Sequence, residues 1–223
     1  MKAKRNLLFS GPTLHSAMSM ARVDVMDLVL LPPVQRGDID RVVGQAGSET
    51  GCMIIVDGFF HLKTLAVGHA EIRNAMRRGW KVWGLSSMGA IRACEMQHLG
   101  MIGYGECFEM FARDPDFRDD EVALLHEPNP PYRMGSEPLI HMRKALSQLR
   151  VDALIDEAME RAVLDALLGL WFGDRDLPAF RRLVEEQRPD KATELKEALQ
   201  NFDRFRIKSL DLLNFLRDKP YRT

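Results

Sequence analysis

The chain has 223 residues, 46% of them hydrophobic and 28% charged, with a formal net charge of −1. That length fits one large domain, or one α/β domain with a helical extension, and buries a core without staples. Near-neutrality gives no electrostatic reason to expect nucleic acid or a membrane surface as partner, and short basic clusters such as Arg77-Arg78 read as solvated helix ends. Three widely spaced cysteines, Cys52, Cys94 and Cys107, form no CxxC and stand at no metal-ligand spacing from a histidine. They argue against a disulfide framework and against structural zinc, and neither a metal nor a cofactor is expected. The first ten residues are basic, then briefly apolar, and run into a Gly-Pro turn without the pattern of a signal peptide. No apolar run reaches spanning length, so a reducing cytoplasm is the expected compartment.

In chain order, residues 6–9 predict a short strand that stops at Ser10-Gly11-Pro12-Thr13, and residues 14–21 a helix. Residues 25–31 are apolar and close on Pro32-Pro33, which cannot continue a ladder or a helix. A helix is expected at 38–46, capped by Asp38, then a buried strand at 53–56 ending on Asp57-Gly58. A further helix at 69–78 stops at Gly79. Residues 81–85 read as a strand, and Ser87 opens a helix through Met96. Strands alternating with helices imply right-handed crossovers and a Rossmann-like, mainly parallel α/β sheet at the N-terminal end.

From 111 to 138 aspartates and prolines crowd together, interrupted by the apolar run 122–125. This segment reads as a long connection with room for one more strand, and connections of that length usually have a job. Residues 139–148, 155–172, 177–186 and 191–216 each repeat apolar residues at helical intervals. The expected organisation is an α/β domain at 1–110 carrying a serine motif, a connecting region at 111–138, and a helical region at 139–223 packed on it. Within the last helix, Leu210, Leu213 and Phe215-Leu216 close a core more readily than they form a partner groove.

The chemistry-bearing stretch is Gly84-Leu85-Ser86-Ser87-Met88-Gly89-Ala90, at the carboxyl end of a strand and the mouth of a helix. Ligands collect on that edge of a parallel sheet. A serine there can meet amides that bind an oxyanion. Serine is equally a favoured N-cap, which alone explains either residue. Ser87 does not fit the nucleophile elbow, because Leu85 stands where that motif needs glycine. Asp57 ends a strand on the same edge. His69 and Glu71 are two apart, share no helix face, and read as a surface or packed histidine and a capping glutamate. The Ser10–Thr13 turn lacks the glycines and the Lys-Ser/Thr ending of a phosphate loop, so a nucleotide-binding reading is set aside. The Asp119-Asp120-Glu121 run has the chemistry to hold a hard cation, although acidic loops are usually just solvated. Cys94 reads as a small buried hydrophobe.

Taken together, Asp57-Gly58-Phe59-Phe60, His69-Ala70-Glu71-Ile72, residues 84–93, Gly100-Met101-Ile102-Gly103, residues 119–126 and Ser136-Glu137-Pro138-Leu139 with Arg143 resemble the TfuA-like family. The string Ser87-Met88-Gly89-Ala90-Ile91-Arg92-Ala93 carries most of that resemblance. It extends from about residue 7 to 143 and thins in the helical tail, where Lys208 and Asp211 resemble a family lysine and aspartate. The resemblance implies an accessory of YcaO-dependent peptide thioamidation. Its partners would be a YcaO-domain protein, a substrate peptide and a thiocarboxylated, ubiquitin-like (ThiS-like) sulfur carrier. It further implies a serine-lysine hydrolase that frees sulfide from the carrier, the lysine acting as base once burial depresses its pKa. On this sequence Ser87 is the expected nucleophile, with Ser86 in reserve, and Lys208 the expected lysine. Lys63 is the nearest lysine to the motif in sequence. Asp57, His69, Glu71 and Arg92 would shape or charge the pocket. Ala70 stands where many relatives carry a lysine, and that departure favours the alternative of a non-catalytic docking protein.

Overall fold

The computed structural model describes residues 5–60 and 65–222. Five strands form one parallel sheet: β1 (Arg5–Phe9), β2 (Val29–Leu31), β3 (Gly51–Ile55), β4 (Lys81–Leu85) and β5 (Ile102–Tyr104), in the order β2-β1-β3-β4-β5. The central strands read as unbroken apolar runs, as strands covered on both faces must. Their side chains divide between two cores. Leu7, Phe9, Met53, Ile55 and Val82 serve one, and Leu8, Cys52, Ile54, Trp83 and Leu85 the other.

Crossover helices α1 (Pro12–Met20), α2 (Asp38–Ala46), α3 (His69–Arg77) and α4 (Met88–Met96) connect the strands, and α5 (Glu106–Arg113) follows β5. Five further helices complete the chain: α6 (Leu139–Val151), α7 (Glu157–Gly169), α8 (Leu177–Gln187), α9 (Ala192–Ala198) and α10 (Ile207–Asp218). The expected α/β class and the helical C-terminal region are both present.

The chain forms two compact units, Met1–Phe117 with Lys208–Thr223, and Arg118–Ile207. In the second, α6 to α9 enclose their own core of Leu139, Leu146, Leu149, Val163, Leu167, Phe180 and Phe202. The first contains the sheet and also α10, whose Leu212, Phe215 and Leu216 pack with Leu8, Ile54 and Trp83.

Several local expectations differ from what is observed. The strand expected at 25–31 is formed only over its last three residues. The run 122–125 forms no ladder; it follows a 3-10 turn at Asp119–Glu121. The helix expected over 191–216 is broken, with a 3-10 turn at Phe202–Phe205 between α9 and α10. Its apolar period runs on regardless, because Leu195, Leu199, Phe202 and Phe205 feed one core while Leu212, Phe215 and Leu216 feed another. Asp38 is the first residue of α2 rather than its cap, and Gly37 takes the cap position.

The β4–α4 turn is pressed onto β3. A Cβ on Gly89 would lie 1.8 Å from the Ile55 carbonyl oxygen, and the Gly89 N–H donates to the Val56 carbonyl at 3.1 Å. Gly89→Ala is therefore expected to destabilise the fold by about 3 kcal/mol or more, because the clash is with backbone rather than a flexible side chain. Chemical denaturation of the purified variant measures it.

Candidate active site

The site edge is the carboxyl end of the sheet, where the turns into α1, α4 and α5 lie. Four of the helices that begin around this unit have glycine as N-cap: Gly11, Gly37, Gly68 and Gly105. A glycine supplies no side-chain acceptor, so the free amides of the first turn must find one elsewhere. They find carboxylates from distant parts of the chain.

Asp57 serves α1. Its Oδ2 accepts from the Gly11 amide at 2.8 Å, the Thr13 amide at 3.0 Å and the Ser10 hydroxyl at 2.9 Å, while Oδ1 takes the Thr13 hydroxyl at 2.6 Å. Pro12, between them, has no N–H to satisfy. Glu71 serves two helices, accepting from Gly37 and Ile39 at α2 and from Gly68 at α3. Asp211, on α10, serves α5 through the amides of Glu106 at 2.8 Å and Cys107 at 2.9 Å. Gly105 makes room for it: its φ is +91°, and a Cβ there would lie 2.4 Å from the Asp211 carboxyl carbon.

The exception is α4. Its N-cap is Ser87, which makes no side-chain capping bond, and no carboxylate is imported. The preceding residue, Ser86, sits at φ +65°, in the region that favours glycine. The Ser87 N–H donates to the Leu85 carbonyl at 2.8 Å and closes a tight turn centred on Ser86. Such a conformation costs on the order of 1–3 kcal/mol and clusters at functional sites.

Both serines are buried, Ser86 at 0% and Ser87 at 3% exposure. The Ser86 hydroxyl donates to the Lys208 carbonyl at 2.8 Å, a contact between residues 122 positions apart. The Ser87 hydroxyl has no partner among the described residues. Lys208 is itself buried, on the first turn of α10, three residues before Asp211.

Burial pushes the Asp211 carboxyl up to about 6, against the two amides that hold its charge. Burial likewise raises the Cys107 thiol well above its ordinary value, assisted by Asp211 and opposed by the Lys208 charge. Cys107, Lys208 and Asp211 thus share one desolvated neighbourhood beneath the serine turn. The spacing of the sequence gives no hint of Cys107 or of the Asp211 cap; only α10 folding back onto the sheet brings them together.

The other expected site residues are placed as follows. Asp57 and Glu71 are buried and spend their oxygens on helix ends. His69 is exposed, its Nε2 2.8 Å from Glu95, and Arg92 donates to Glu95 and to the Val67 carbonyl. Lys63 lies outside the described residues. Ala70, where a lysine was sought, is exposed on α3. The acidic run is engaged with arginines, Asp120 with Arg118 and Arg175, and Glu121 with Arg143. Among the described residues no cluster of three or more His, Cys, Asp or Glu side chains is placed to hold a metal.

A model of the family described as TfuA-like protein matches residues 57–176. The chain belongs to the TfuA-like family. The match spans more than half of the sequence, beginning at the carboxylate that caps α1 and ending just beyond the buried Arg175. No curated protein matches the chain. Membership gives this TfuA-like protein its general role, an accessory of YcaO-dependent thioamidation with a YcaO-type partner. No helix among the described residues is long and apolar enough to cross a membrane.

Two outcomes follow from the caps. Asp57→Ala strands four buried donors and is expected to cost on the order of 3 kcal/mol, read by urea denaturation. For Asp211 the folded carboxyl titrates near 6 and the unfolded one near 3.8. The folded state therefore holds an extra proton between those values, and the stability this gives is fully present below about pH 4 and lost as pH rises through 6. Unfolding free energy measured from pH 4 to 7 should fall more steeply in wild type than in Asp211→Asn, by on the order of 3 kcal/mol at most.

Proposed function

We propose that this TfuA-like protein hydrolyses the terminal thiocarboxylate of a ubiquitin-like sulfur carrier and supplies sulfide to its YcaO partner. The observation that carries the reading is the strained serine turn, with the unengaged hydroxyl of Ser87 beside a Ser86 that is tied to Lys208. A nucleophile needs a hydroxyl not committed to another acceptor, and a base needs to stand near it. Ser87 meets the first condition and Lys208 is the candidate for the second.

In the proposed step the Ser87 oxygen attacks the acyl carbon of the thiocarboxylate and a C–O bond forms. The C–S bond breaks, and sulfur leaves as hydrosulfide, taking up the proton that Lys208 carries away from Ser87. Water then attacks the acyl ester, releasing the carrier with a terminal carboxylate and restoring the serine. Neither half-reaction is a redox step. Asp57, Glu71 and Asp211 act at a distance by holding the turns that surround the serine pair.

Ser86 has one observation in its own favour as nucleophile. It is the residue at positive φ, and Gly84 stands two positions before it, as in a nucleophile elbow. Its hydroxyl, however, is committed to the Lys208 carbonyl, so in this reading Ser86 positions α10.

Sulfide release from a thiocarboxylated carrier decides between these roles. Ser87→Ala is expected to lower the rate at least a thousandfold with an unchanged far-UV spectrum. Ser86→Ala is expected to lower it less, through a loosened α10. The reverse ranking moves the nucleophile to Ser86. No release by folded wild type with its cognate carrier leaves a docking protein.

A further inference from the structure

The helix ends of this unit follow a rule with one gap. The first turns of α1, α2, α3 and α5 each receive a carboxylate from another element, supplied by Asp57, Glu71 and Asp211. The first turn of α4 receives none. Two of its amides are satisfied locally, Gly89 by the Val56 carbonyl and Ala90 by the Ser87 carbonyl. The Met88 amide, first of the helix, has no partner among the described residues. The Ser87 hydroxyl immediately before it is 3% exposed and also unpartnered. An unpaired buried hydroxyl costs on the order of 1–3 kcal/mol, an expense a fold retains where an outside group supplies the bond.

We propose that the start of α4 is a receptor for the carboxylate of an incoming chain terminus, which completes the pattern set by Asp57, Glu71 and Asp211. The donor set is the same as at its neighbours, a first-turn amide with an adjacent hydroxyl, as in the Thr13 amide and Ser10 hydroxyl that hold Asp57. The partial positive charge of the helix end favours an anion there. Burial of both serines leaves room for a slender chain end, so the terminal residue should be glycine. The inference rests on the hydrolase reading for the identity of the natural ligand. It also adds a consequence: the spent carrier, ending in carboxylate, is a competing ligand and slows its own replacement.

The test uses the full chain and a six-residue peptide ending in glycine, as the free acid and as the terminal amide, with sodium acetate as a third ligand. Titration calorimetry on wild type should show the acid binding at least tenfold more tightly than the amide, and more tightly than acetate. Equal affinity of acid and amide overturns the proposal, and acetate binding as tightly as the peptide reduces the site to one for small anions. Ser87→Asp places a carboxylate on the helix itself. It should raise Tm by about 2 °C and abolish peptide binding. Retained binding in that variant overturns the proposal. Should Ser87→Asp fail to fold, Ser87→Ala gives the second reading, with weakened acid binding expected and unchanged acid binding fatal. Sulfide release measured in parallel separates the two ideas. Release without acid-selective binding sinks the receptor and leaves the hydrolase, whereas acid-selective binding without release does the opposite. Where both hold, the free-acid peptide should inhibit release and the amide should not.

Discussion

The arrangement around the sheet depends on one kind of interaction, a carboxylate accepting amide hydrogens from a helix to which it does not belong. Asp57, Glu71 and Asp211 lie 46, 34 and 105 residues from the first amides they cap, Gly11, Gly37 and Glu106. Each therefore does two things: it satisfies a helix end that its glycine cap leaves bare, and it fixes the position of one element relative to another. A serine or aspartate in the N-cap position would satisfy the helix without the second effect. The cost is desolvation of a charge, visible in the raised Asp211 carboxyl. Burial of such a group is justified by geometry rather than by stability.

The second unit uses the same currency with different partners. Glu137 is caught between His141 at 2.6 Å and Arg206 at 2.9 Å. Burial works to raise its carboxyl, and these two neighbours hold it down at about 2. Arg175, fully buried, binds the Asp120 carboxylate and the carbonyls of Asp120, Leu167 and Leu170. The acidic run that looked like a cation site is thus ordered by arginines of its own unit. Its charges are neutralised where it stands.

The strands of the sheet were legible because buried parallel strands write themselves as apolar runs with glycine or aspartate at their ends. β4 was read to its residue limits, and β1 and β3 nearly so. β5 escaped because three residues between glycines carry too little pattern, and α5 went with it. The serine turn was legible from its position after a strand, but its conformation was not. Nothing in Gly84-Leu85-Ser86-Ser87 says which serine takes positive φ or which hydroxyl stays unengaged. Those follow from the Lys208 carbonyl, which arrives from a helix whose apolar period ran unbroken across the boundary between two cores. Asp57 and Glu71 attracted notice as polar residues on the ligand edge. Their oxygens prove to be fully occupied by backbone donors, something residue type alone cannot reveal.

The return of α10 to the sheet has a bearing on how the protein is made. Residues 118–207 must leave the ribosome before Lys208, Asp211 and the apolar side chains Leu212, Phe215 and Leu216 are available. Until then α5 lacks its cap, Ser86 lacks its acceptor, and one face of the sheet is missing part of its cover. The nascent chain therefore passes through synthesis with its serine turn unfinished, and a prematurely terminated product is inert by construction. Completion of translation acts as a built-in safety catch on a residue pair that would otherwise meet any passing thioester or activated acyl group.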